Sequence, residues 1–233
     1  MTFAVGVDVV DLQDPRTRDR SGDDRFLERV FTASERERIR LSDNPALEVW
    51  VLWAAKEAGF KVASKVLSRP PVFQHAAFSV SDPPGTSASR LTYEGVSVHL
   101  GVDLHPHRVM VWAWNGPSPE ILVAQCRIQE ALGSLALSGR LEEWQADRFS
   151  PLELDAIHGL PSALVRLLAR RDAARMLRVG ENHLAITCSP GVTGQRPPYL
   201  ELDGKRIPGV DVSLSHAGEQ LAWAVRIADS AEG

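Results

Sequence analysis

Asp8, Glu57 and Lys61 have the residue types and spacing best suited to phosphate chemistry in this chain. Asp8 breaks an apolar, β-branched run at residues 3–10, where an acid is disfavoured by propensity and costly to bury without a partner or a metal. Glu57 and Lys61 lie one turn apart in Trp53-Ala54-Ala55-Lys56-Glu57-Ala58-Gly59-Phe60-Lys61, on a helix stripe headed by Trp50 and Trp53. Two further stretches add cations: Gly194-Gln195-Arg196-Pro197, which reads as a turn, and Ser213-Leu214-Ser215-His216, just before the last strand. Two carboxylates offer hard oxygen ligands to Mg²⁺, which uses one or two protein acids and leaves its other positions to water and substrate phosphate. A lysine one turn from such a glutamate can reach a bridging or leaving oxygen, while His and Arg hold further phosphates. Each feature alone has an ordinary reading: a helix-supporting ion pair, a turn, a solvated histidine. Together they describe a site for a charged phosphate ester.

The elements that must position these residues follow from hydrophobic periodicity. Residues 3–10 read as a buried strand and residues 14–24 as a polar loop. Residues 26–31 form a short helix, and Thr32 with Glu35 makes a capping box that opens a second helix through Leu41. Pro45 suits the first turn of the helix carrying Glu57, which runs to about Leu67. The period then switches to two, giving antiparallel strands at 77–80, 95–100 and 108–114 and a fourth at 121–128. Residues 129–149 read as a connector, in a stretch expected to carry one or two short helices. A helix spans 161–179, with Pro161 in its first turn, Gly180 as its C-terminal cap, and Arg166, Arg170, Arg171, Arg175 and Arg178 along it. Strands follow at 183–188, 210–214 and 220–227. The expected fold is α+β: two similar subdomains at 1–128 and 150–233, each a small antiparallel sheet on a long helix.

Composition narrows the function. With 26 Lys+Arg against 30 Asp+Glu, net charge −4, the chain has no bulk attraction for nucleic acid or anionic lipid. No apolar stretch approaches the length of a membrane span. Cys126 and Cys188 are too few for a disulfide scaffold or a structural zinc site and sit in apolar surroundings. These features suit a reducing cytoplasm.

Gly6-Val7-Asp8, the 53–61 stretch and Ser213-Leu214-Ser215-His216 resemble the 4′-phosphopantetheinyl transferases, whose hallmark is Gly-x-Asp followed at a distance by Lys-Glu-[Ala/Ser]-x-x-Lys. Residues 26–32 with Glu35 are similar to the segment between those motifs. The resemblance implies Mg²⁺-dependent transfer of 4′-phosphopantetheine from coenzyme A to a serine of an acyl- or peptidyl-carrier protein, releasing 3′,5′-ADP. It implies Asp8 and Glu57 as metal ligands, Glu57 assisting deprotonation of the serine, and Lys61 on the departing nucleotide. Ser215, His216 and Arg166 would grip coenzyme phosphates, with Arg196 and Pro197 on the adenine side. It also implies a monomer whose halves form a pseudo-twofold pair with the coenzyme between them.

The motif order matches pseudo-dimeric members with their halves exchanged, or a short unit with a large insertion; length and the arginine helix favour the exchange. Val10 stands where those members carry a third metal-binding acid. A carrier-binding relative without the chemistry is the alternative this departure raises.

Overall fold

The computed structural model describes residues 2–67, 71–72, 74–82, 88–117, 120–135, 147–191 and 194–228. The chain divides into two compact units, Met1–Pro117 and Ser118–Gly233.

In the first unit, β1 (Val5–Asp11) leads through α1 (Asp24–Val30) and α2 (Ala33–Leu41) to the long α3 (Pro45–Val66). Strands β2 (Ser79–Val80), β3 (Arg90–Tyr93), β4 (Val96–His105) and β5 (Arg108–Trp114) complete an antiparallel sheet in the order β1-β5-β4-β3-β2. Helix α3 starts where Asn44 accepts a hydrogen bond from the Leu47 N–H at 3.2 Å, with Pro45 as its first residue. Its Val49, Leu52, Ala55 and Val62 are buried in one core with Val98, Leu100, Val109 and Val111 of the sheet. The capping box at Thr32 and Glu35 is present in full.

In the second unit, β6 (Glu120–Arg127), α4 (Ile128–Leu135), α5 (Pro151–Leu154) and α6 (Leu160–Leu177) precede β7 (Leu184–Gly191), β8 (Gly194–Leu202), β9 (Lys205–Arg206), β10 (Val210–Ala217) and β11 (Gln220–Ile227). These strands form two antiparallel sheets, β10-β11-β6 and β7-β8-β9, with β10 packed beside β8. Apart from the short β9, the second unit repeats the element order of the first: strand, helices ending in a long one, then strands. The two sheets also share a pairing logic, because β1 pairs with β5 as β6 pairs with β11. The α+β reading with two similar subdomains holds.

Four expectations change. Residues 121–128 are a strand, but β6 pairs with β11, from Gln220↔Arg127 to Ile227↔Glu120. It therefore belongs with the second unit, and the expected 1–128 half ends near Pro117. Arg196 and Pro197 lie in β8, not in a turn; a register shift between Cys188 and Pro190 accommodates the strand's prolines, which cannot donate to the ladder. Helix α6 ends before Gly180. Arg178 takes the left-handed conformation (φ 56°), and the Val179 N–H reaches back to the Ala174 carbonyl at 3.0 Å. Strand β3 went unread because its pattern is only four residues long. The short helix expected in the 129–149 connector is present at Ile128–Leu135, and residues 136–146 lie outside the described residues.

Candidate active site

The site grows from one close approach between β1 and α3. A methyl group on Gly6 would overlap the Ala58 carbonyl oxygen and lie 3.2 Å from Lys61 Cβ, so only glycine lets the strand settle here. Asp8 is two residues on and shares the helix-facing side of the strand. It is 9% exposed. Lys61 Nζ donates to Asp8 Oδ1 at 2.9 Å and to the Val7 carbonyl at 2.7 Å. Lys65, one turn further, donates to the Val5 carbonyl at 2.8 Å. β1 stands first in the order of its sheet, and both ammonium groups bond its carbonyls. Gly6→Ala is therefore expected to lower stability by about 1–3 kcal/mol through forced displacement of β1, read as a fall in the urea unfolding midpoint.

Glu57 precedes Ala58 and so stands beside the same strand–helix contact. Its side chain is 24% exposed and faces His75, with Nε2 3.6 Å from Oε1. Glu57 and Lys61 are not partnered with each other: each reaches away from the helix, to His75 and to Asp8 respectively. The other motif residues have separate tasks. Lys56 is fully buried, pairs with Glu35 Oε2 at 2.8 Å and donates to the carbonyls of Phe78 and, at 3.0 Å, of His75. A methyl on Gly59 would sit 2.6 Å from Leu91 Cδ2, so that glycine admits β3. Phe60 packs edge-on against Phe78, ring centroids 6.0 Å apart.

Residues 4–110 match the family model described as the 4′-phosphopantetheinyl transferase superfamily. This segment, which is less than half of the chain, is similar to that superfamily. The crystal structure of Thermotoga maritima holo-[acyl-carrier-protein] synthase is similar over 63% of this chain and 74% of that one, at 16% identity and a TM-score of 0.36. No curated protein matches the chain.

The matched segment holds Asp8, Glu57 and Lys61; the other expected site residues lie in the second unit. Arg166 is 7% exposed on α6. Its Nη1 donates to Ser162 Oγ at 2.7 Å and to the Ser162 carbonyl at 3.2 Å, and its Nη2 faces Cys188 Sγ at 3.9 Å. Pro197 is partly buried in β8; the Arg196 side chain lies outside the described residues. Ser215 is buried and His216 exposed on β10, opposite Ala222 and Leu221 of β11.

For Mg²⁺, the donor chemistry of residues 4–110 fits: two carboxylates attached beside one strand–helix contact, both oxygen-only ligands. No cluster of three or more His, Cys, Asp or Glu suited to a metal occurs among the described residues. Val10, where a third acid was conceivable, is 4% exposed and packed in the α3 core.

Two things escaped the sequence reading. His75 sits on a 3-10 turn with no local pattern to mark it. The other is a repeated ionic node. Glu35 accepts from the N–H groups of Thr32 (2.8 Å) and Val80 (2.9 Å) and pairs with Lys56, whose ammonium lies over the Phe31 ring at 5.7 Å. Glu153 likewise accepts from the N–H groups of Ser150 (3.0 Å) and Ile186 (2.9 Å), with Arg170 3.6 Å away and over the Phe149 ring at 5.6 Å. The signal was legible as Phe-Thr-x-x-Glu at 31–35 and Phe-Ser-x-x-Glu at 149–153. Matching Lys56 to Arg170 places Arg171 where Glu57 stands and Arg175 where Lys61 stands. The second unit thus carries a cation at the position of the acid.

Neither cysteine forms a disulfide. Burial and the nearby Glu130 carboxylate push the Cys126 thiol up to about 11, so it is not a nucleophile at neutral pH.

Proposed function

We propose that this protein transfers 4′-phosphopantetheine from coenzyme A to a serine hydroxyl of an apo-acyl- or peptidyl-carrier protein. The observation that carries this is the placement of Asp8 and Glu57 beside the Gly6–Ala58 contact, within the segment that matches the superfamily. Asp8 and Glu57 would hold Mg²⁺, which when bound neutralises charge on the pyrophosphate. Glu57, part-exposed, accepts the proton of the incoming serine hydroxyl. The serine oxygen forms its bond to the pantetheine-side phosphorus as the bond from that phosphorus to the bridging oxygen breaks, and 3′,5′-ADP departs. Lys61 spends two of its three N–H donors on Asp8 and Val7, which fixes its position and leaves one for the departing phosphate. Arg166, Ser215 and His216 are proposed to hold coenzyme phosphates, with Arg196 and Pro197 nearest the adenine.

The test is incubation with coenzyme A, Mg²⁺ and apo-carrier proteins from fatty-acid, polyketide and peptide synthesis, read by intact-protein mass. Addition of a phosphopantetheine to one serine, blocked by EDTA, is the expected result; no addition to any carrier sinks the proposal. The burial of Val10 in place of a third acid favours a second reading, a carrier-binding relative without the chemistry. That reading expects carrier binding and no Mg²⁺-dependent binding of coenzyme A by calorimetry.

A further inference from the structure

His75 is held at both ends by neighbouring residues of α3. Its carbonyl accepts from Lys56 Nζ at 3.0 Å, and Lys56 is itself locked by Glu35 at 2.8 Å. Its ring lies on Trp53, centroids 4.4 Å apart and planes 32° apart. Trp53 is stacked in turn on Phe26 at 5.9 Å and met edge-on by Trp50 at 6.1 Å. The imidazole therefore has little freedom to turn, and its Nε2 stands 3.6 Å from Glu57 Oε1. Lys56 and Glu57 are consecutive and point about 100° apart around the helix, so one histidine bridges two faces of α3.

We infer that His75 is a positioning residue which restrains the Glu57 carboxylate for divalent-cation binding. The inference rests on the reading of Glu57 as a metal ligand. A free glutamate loses side-chain rotamer entropy when it takes up a cation. A carboxylate with a fixed ring 3.6 Å from one oxygen has less space to explore and so less to lose, which is why the outer neighbours of metal ligands matter to affinity. Trp53, Phe26 and Trp50 acquire a purpose here: they set the plane of the ring that sets the carboxylate.

The test is Mn²⁺ titration of the full chain, followed by the electron paramagnetic resonance signal of free Mn²⁺, with thermal unfolding as the control. His75→Phe keeps a ring to stack on Trp53 and removes Nε2; its Mn²⁺ affinity is expected to fall about tenfold with the unfolding midpoint unchanged. His75→Gln puts an amide where Nε2 was and is expected to recover most of the affinity. His75→Asn, whose amide matches the other ring nitrogen and does not reach Glu57, gives the same contrast should the phenylalanine variant fail to fold. Wild-type affinity in His75→Phe or His75→Asn, or a glutamine variant as weak as either, overturns the inference. Glu57→Gln separates the two levels. If it abolishes Mn²⁺ binding while His75→Phe does not weaken it, only the positioning role falls; if it binds Mn²⁺ as the wild type does, the metal-ligand reading falls as well.

Discussion

Glu57→Gln is expected to lower kcat for carrier loading by about 10³-fold while leaving the unfolding midpoint in place, because the amide keeps the shape of the side chain and cannot accept the serine proton. The structural cost should be small. Glu57 is part-exposed and its neighbour His75 is anchored independently by Lys56 and Trp53, so nothing buried loses its only support. Asp8→Asn differs in kind. Asp8 is 9% exposed and shares Lys61, so its loss leaves an ammonium facing a neutral amide and should reduce both activity and stability. Steady-state loading kinetics beside urea unfolding distinguish the two. Undiminished loading by Glu57→Gln would remove this residue from the chemistry.

Glu35→Ala is expected to be the most destabilising single change in the first unit, costing about 3–5 kcal/mol, since it strands a fully buried ammonium. It also leaves the N–H groups of Thr32 and Val80 without their carboxylate. Glu153→Ala in the second unit should cost less. Arg170 lies 3.6 Å from its carboxylate, keeps a 2.9 Å hydrogen bond to the Arg148 carbonyl and has Glu181 nearby, so its charge is not abandoned. The pH dependence of the Glu35 variant carries a sign. Desolvation holds the Lys56 pKa below its ordinary value of 10.5, and Glu35 opposes that shift. Without Glu35 the folded state gives up the lysine proton more readily than the unfolded chain does. The unfolded state then binds more protons, so stability rises with pH as it climbs toward 10.5. The deficit of Glu35→Ala should therefore narrow between neutral pH and about pH 10, measured by urea unfolding. A deficit independent of pH would show that the node is held by packing and not by charge.

How much of the site could be read in advance depends on how local each interaction is. Pro45, the Thr32–Glu35 box and the arginine helix obey rules that act within a turn or two, so they were legible. The β8 strand was hidden by Pro197 and Pro198, which argue for a turn until the register shift opposite them is known. β6 has an ordinary strand pattern, and no pattern says which sheet it will join. Thr32 and Glu35 read as a capping box, and Ser150 with Glu153, which obeys the same rule, went unread. That each glutamate also reaches a strand N–H and a helix cation depends on residues 17 to 45 positions away.

That Asp8 needs a partner, that Glu57 and Lys61 share a helix stripe, and that the fold is α+β in two similar parts were all legible from residue order alone. Those follow from desolvation and from the periods of helix and strand. That Lys61 pairs with Asp8 and not with Glu57, that Gly6 lets β1 meet Ala58, and that His75 is the neighbour of Glu57 emerge only once the chain is folded. These are choices among partners distant in sequence, settled by which backbones can approach closely enough for a side chain to span the gap.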